Sequence, residues 1–218
     1  MPSTLVAAAL AGLLAAALLD EQFDARAVAV VVAAGVAPDL DAVAALAVEG
    51  LHNALLHNVF VPGVAAALIL WDTRYRDRSW LRTRYGARGI RIAWVAVAAY
   101  VVPGILLDLL NVESAAPLYP VHDRFYSVVG KFELNNKQGI VFTFVQPSLD
   151  GGPLFPGSRR GTVANRYVVP TFLNPAEGPD QGLERVFFAI SSGWELLVVV
   201  ASVVVLGVRF RLRSWGVV

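Results

Sequence analysis

Five stretches of this chain are so poor in charge that each must lie either in lipid or inside a core. They are Pro2–Leu19, Ala27–Ala37, Val59–Trp71, Ile92–Leu107 and Val186–Val208, and only the last contains a charged residue, Glu195. A bilayer span takes about 20 apolar residues. The first and last stretches reach or approach that length, whereas the middle three need flanking residues such as Leu51–Asn58 to do so. Hydrophobic residues make up 56% of the chain, against about 45–50% in an ordinary soluble domain. The expectation is an all-α integral membrane helix bundle of about five transmembrane or partly spanning helices, forming a single domain over residues 1–218. The alternative is a soluble bundle with buried core helices. The first stretch has no Lys or Arg before Arg26, unlike the basic opening of a secretory signal, so it is expected to be a retained helix.

Charge placement orients the bundle. Lys and Arg total 18 and Asp and Glu 17, a balance that gives no sign of a nucleic-acid partner; the expected partner is the lipid bilayer. Arg74, Arg76, Arg78, Arg82, Arg84, Arg88 and Arg91 crowd between two apolar stretches, and Arg209, Arg211 and Arg213 follow the last one. Short Arg-rich loops stay cytoplasmic, so both segments, the C-terminus included, are expected on the inner face of the cell membrane. Residues 108–185 then form an extracytoplasmic insertion between the last two helices. Ala27–Ala37 is the weak link of this topology, because 11 residues rise only about 16 Å as helix. Such a half-helix is permitted at membrane depth only where protein surrounds it.

On this topology the polar residues gather at the outer ends of helices: Asp39, Asp41, His52, His57, Asp108, His122 and Asp123. With no cysteine in the chain, a metal would have to be held by imidazole and carboxylate. That donor set suits zinc or another divalent first-row ion. His52 and His57 are five apart and do not share a face of a regular helix, so one of them is expected in an irregular segment. Helix capping competes as an explanation for Asp39 and Asp41.

The segments "PDLD", "HNALLHN", "LLDLLN" and "YPVHDRFYS", together with the opening "MPSTLVAAALAGLL", resemble the predicted membrane-bound metal-dependent hydrolases, also described as LexA-binding, inner-membrane-associated putative hydrolases. The likeness runs from Met1 to about Phe144 and over the final helix. It implies metal ligands at Asp39, His52, His57, Asp108 and His122, and a general base at Asp41 or Asp123. It implies a divalent metal, zinc foremost, and hydrolysis of a phosphoester or other ester at the membrane surface. Three positions depart from the family pattern. Ala7 stands where the family has a histidine, Asn53 where it has arginine, and Asn58 where it has a small hydroxyl residue. These departures leave a second expectation open, a non-catalytic scaffold or binding protein with a degenerate metal site. A transporter fits less well, since its polar residues should sit near the midplane.

Within the insertion, Gly139–Val145 has the β-branched and aromatic content of a strand. Gln146–Gly161 is punctuated by Pro and Gly, and the segment from Val163 to Leu173 is a candidate second strand. Together they predict a small strand-and-loop cap over the helix mouths. Glu195, the one carboxylate in the last apolar stretch, is expected either at the start of the last helix near the interface or, as a functional group at membrane depth, bonded to the histidine cluster.

Overall fold

The computed structural model describes residues 3–46, 50–111, 114–144, 158–159, 161–166 and 189–216. The protein is mostly helical, with little sheet. Each apolar stretch carries a helix: α1 (Thr4–Leu18), α2 (Ala25–Val36), α4 (Phe60–Leu70), α5 (Trp80–Val101) and α7 (Gly193–Ser214). Two short helices, α3 (Asp41–Ala45) and α6 (Leu107–Leu109), extend α2 and α5. The N-termini follow local chemistry. Ser3, Asp24, Ser79 and Ser192 each accept a backbone N–H of their own first turn, which satisfies a donor that has no partner within the helix.

The short stretch at Ala27–Ala37 gains length from its flanks. A 3-10 turn, Ala37–Leu40, joins α2 to α3 without a break. The resulting run, Ala25–Ala45, is one of two among the described residues that are long and apolar enough to cross a membrane; the other is Trp80–Leu109. The second run contains a left-handed Gly86 (φ 67°), a conformation that glycine adopts without steric cost. It also contains a π-helical turn, Val102–Leu106. Length and composition thus qualify two of the five expected spans. α1, also apolar, has 15 residues.

The helices pack in the spatial order α7, α1, α2, α5, α4. Small residues fill the contacts, and Ala11, Ala15, Ala27 and Ala99 are fully or almost fully buried. Leu19, Phe23, Val28, Val31 and Val95 join them in the core, but many other large side chains point away: Val30, Leu40, Val43, Val64, Leu68, Leu197, Val203 and Val204 all expose more than half their surface. Close approach depends on glycine. A Cβ on Gly35 would lie 2.6 Å from the Ala11 Cβ, and one on Gly104 would lie 2.6 Å from Pro38 Cγ and 3.1 Å from the Gly35 carbonyl oxygen. Gly104→Ala is therefore expected to push the Ala37–Leu40 turn outward at a cost of about 1–3 kcal/mol. A lowered unfolding temperature in detergent would register it, and an unchanged one would mean that the turn yields freely.

Polar residues separate to the two ends of the bundle. At one end the Arg-rich loop and the Arg tail converge on the turn after α1. Arg91 donates to the Leu18 carbonyl (2.7 Å), Arg209 to that of Asp20 (2.9 Å) and Arg213 to that of Glu21 (3.2 Å), while Arg88 pairs with Asp24. Cations are well placed beside the carbonyls that close a helix. Nearby, the Asp72 carboxylate accepts from the Ser79 hydroxyl and from the Trp80 and Leu81 N–H groups, so it caps α5 from the end of α4. Those donors, the Ser79 hydroxyl foremost, bring its pKa down to about 2.

The opposite end carries the cap. β2 (Phe132–Asn135) and β3 (Gly139–Phe142) form an antiparallel hairpin. β1 (Tyr126–Ser127) pairs with β4 (Ser158–Arg159), and β5 (Gly161–Thr162) with β6 (Asn165–Arg166). The strand expected over Gly139–Val145 thus runs to Phe142, and that expected between Val163 and Leu173 includes the two residues of β6. Most of the Pro-Gly stretch, and the chain beyond Arg166 as far as Ala189, lie outside the described residues. The cap is stitched to the segment between α3 and α4. Ala116 N–H bonds to the Asn53 carbonyl and Val59 N–H to that of Pro117. Ala54, Ala116 and Phe125 form a small apolar core of their own.

Candidate metal centre

The end of the bundle that carries the cap holds the polar residues singled out by sequence. Asp39 lies in the 3-10 turn and Asp41 opens α3. His52 and His57 both fall in the irregular segment Gly50–Val59, and Asp108 sits in α6. The five-residue spacing thus has a simple cause, in that neither histidine is on a helix. Asn58 ends the segment by capping α4, its side-chain oxygen accepting from Phe60 and Val61 N–H. Asn53 (φ 58°) turns the chain in the left-handed region, which Asn tolerates better than most residues. It also donates its side-chain amide to the Ser114 carbonyl.

Asp41 organises the imidazoles. It is fully buried, and its two oxygens each lie 2.8 Å from a histidine Nδ1, Oδ1 from His52 and Oδ2 from His57. Leu56 N–H adds a longer bond to Oδ2 (3.4 Å). A ring whose Nδ1–H is donated to a carboxylate presents a lone pair at Nε2. For His57 that atom is fully buried and makes no aligned hydrogen bond. It lies 2.8 Å from Asp108 Oδ2 and 3.6 Å from Asp39 Oδ1.

Asp39, His57 and Asp108 each offer a ligand atom, all within 4.8 Å of one another, and this group can hold a metal ion. Burial alone would disfavour a charge on His57, but Asp108, Asp39 and Asp41 outweigh it and raise its pKa well above the ordinary histidine value. A metal bound at Nε2 takes the place of any proton there. Asp39 is the open side of the group, with 19% of its side chain exposed. Its second oxygen accepts from the Thr4 hydroxyl at 2.5 Å, so the first turn of α1 reaches the site. Tyr100, from α5, steadies the histidine segment through a 2.7 Å bond to the Leu56 carbonyl. Neither Thr4 nor Tyr100 stood out in the sequence; the one signal was a polar tip inside an otherwise apolar stretch.

Two of the expected residues do not join the group. His122 and Asp123 are exposed and bonded within the cap, His122 Nε2 to the Tyr126 hydroxyl (2.9 Å) and Asp123 to Val163 N–H (2.8 Å). Both therefore serve the cap's own folding. His52 reaches the site through Asp41 and is outside the three-residue ligand group. Asp41 has both oxygens committed to the imidazoles, which fits the orienting of rings better than proton abstraction. Glu195 belongs to the start of α7, where its carboxylate accepts from the Ser191 N–H and hydroxyl. No family model, curated protein or solved structure matches this chain.

Proposed function

We propose that the protein is an integral-membrane, metal-dependent hydrolase whose divalent ion, zinc foremost, is held by Asp39, His57 and Asp108. The observation that carries this reading is the buried His57 Nε2. It has no aligned hydrogen bond and faces two carboxylates, while Nδ1 is tied to a third. Carboxylate–imidazole pairs of this kind fix the tautomer and orientation of metal-binding histidines. A bound ion would supply Lewis acidity and a bound water acidified toward neutral pH.

The chain's own groups divide the remaining work. Asp41 holds His52 and His57 in one tautomer and one orientation. Asp108 supplies a buried carboxylate 2.8 Å from His57 Nε2. Asp39, bonded to Thr4, is the partly exposed member of the group, the side from which an ester would approach.

The membrane half of the proposal rests on side-chain distribution. Alanine and glycine line many of the helix contacts, beside buried Val6, Leu19, Val31 and Val95, while many other valines and leucines face outward. This is the pattern of helices that associate by close packing in lipid, and an apolar surface of that extent is unusual on a soluble monomer. With the Arg-rich end on the cytoplasmic side, the metal end faces outward. Its position at the membrane surface favours a phosphoester or other ester located there as substrate.

A second reading, a non-catalytic binding or scaffold protein on the same frame, draws on Ala7, the position where a histidine is missing from the family pattern. The other two departures are milder. Asn58 caps α4 as a serine or threonine would, and Asn53 secures the cap.

Metal analysis of the purified protein tests the proposal. About one divalent ion per chain is expected, with loss of that ion and of phosphoester turnover in Asp108→Asn. A well-folded native protein with no bound metal would overturn it. Retained metal without turnover on any ester would favour the scaffold.

A further inference from the structure

The β2–β3 hairpin is amphipathic the wrong way round for water. Phe132 pairs with Phe142 and Leu134 with Ile140, and residues directly opposite on antiparallel strands share a face. All four of these apolar side chains are exposed, Leu134 by 78%. The other face carries Glu133, Asn135 and Val141, each of which is partly covered. The two phenylalanine rings stand edge to face, 6.2 Å apart, so the open face is an ordered surface.

Three observations indicate what covers it. First, the turn of this hairpin carries Lys137, one of the chain's two lysines; the other, Lys131 at its base, is paired with Glu133 of the opposite face at 2.8 Å. A lysine can lay its methylenes along an apolar surface and keep its ammonium among headgroups. Second, the hairpin springs from the metal end of the bundle. Val128 N–H bonds to the Leu109 carbonyl and the Ser127 hydroxyl to that of Asn111. Third, other apolar side chains near the hairpin's root are exposed as well. Leu110, two residues past Asp108, and Val129, at the hairpin's base, are both exposed. The bundle itself turns large apolar side chains outward in the same way.

We propose that the Phe132–Leu134–Ile140–Phe142 face lies on the bilayer, seated in the interfacial zone of the leaflet at the metal end, with Lys137 at the level of the lipid phosphates. The hairpin then fixes the cap against the membrane beside the metal centre. Any substrate drawn from that leaflet has only a short way to travel. This inference rests on the membrane half of the proposed function and is independent of catalysis.

The absence of cysteine makes site-specific spin labelling direct. Leu134→Cys and Ile140→Cys report on the hairpin, Val203→Cys on an exposed apolar helix position, and Asp77→Cys on a polar loop. The full chain is reconstituted in vesicles of mixed zwitterionic and anionic lipid, and collision of each label with oxygen and with a water-soluble nickel chelate is measured. Labels at 134 and 140 should favour oxygen, with ratios closer to that at 203 than to that at 77. Nickel-accessible labels at 134 and 140, with 203 still lipid-like, would overturn the hairpin's placement alone. Labels at 134 and 140 shielded from both reagents would also overturn it, pointing to a second copy or another part of the chain as the cover. A water-like label at 203 would bring down the membrane reading itself.

Discussion

Asp41→Ala is expected to unfold the metal end of the protein, with a loss of about 3–5 kcal/mol, the usual cost of removing one member of a buried, hydrogen-bonded charge group. Asp41 has no exposed surface and holds both His52 Nδ1 and His57 Nδ1 at 2.8 Å. Its removal leaves the Nδ1 atoms of both imidazoles, and the Leu56 N–H, without their acceptor. Against a total stability of about 5–15 kcal/mol, that is a large share. Asp41→Asn should be milder, because an amide oxygen can still accept from one ring. Thermal unfolding in detergent separates the outcomes. A melting temperature for Asp41→Ala close to that of the native protein would show that His52 and His57 find other partners, and the organising role of Asp41 would be lost with it.

The helices were legible because a charge-free stretch has few alternatives to helix in either lipid or a core. Their ends were less so. Ala27–Ala37 looked too short, since Pro38 and two aspartates follow it. Proline is accepted at the first positions of a helical turn, where it lacks only an N–H that would be unpaired anyway, so the chain continues as 3-10 and then α-helix to Ala45. β3 was visible in its β-branched and aromatic content. β2 was not, because Glu133 and Asn135 are weak strand formers, and the partner strand supplies what local preference does not. Convergence of Asp39, His57 and Asp108 could be anticipated from their shared placement at helix mouths. The division of labour could not. That Asp41 serves both rings, and that Thr4 reaches Asp39, depends on contacts between elements far apart in sequence. His122 and Asp123 misled for a related reason: being close to the right end of the bundle does not fix which way a side chain faces.

Ala7→His is expected to tighten metal binding. Ala7 lies on α1 three residues after Thr4, and residues three apart share a helix face. Thr4 already donates to Asp39 at 2.5 Å. Helical side chains lean toward the N-terminus of their own helix, so an imidazole introduced at position 7 would lean back toward the level of Asp39. Ala7 is buried, and the larger ring costs about 1–3 kcal/mol if its neighbours do not yield. The variant should therefore melt earlier without metal and recover part or all of that loss with it, since an ion that binds only the folded state stabilises it by mass action. The measurement is the metal retained after mild chelation, paired with melting temperature in the presence and absence of zinc. Greater retention and a larger zinc-dependent rise than in the native chain would place position 7 at the centre and support a site weakened by the loss of a ligand. Equal retention in a folded variant would place position 7 outside it. Ala7 would then give no ground for preferring the scaffold reading to the hydrolase.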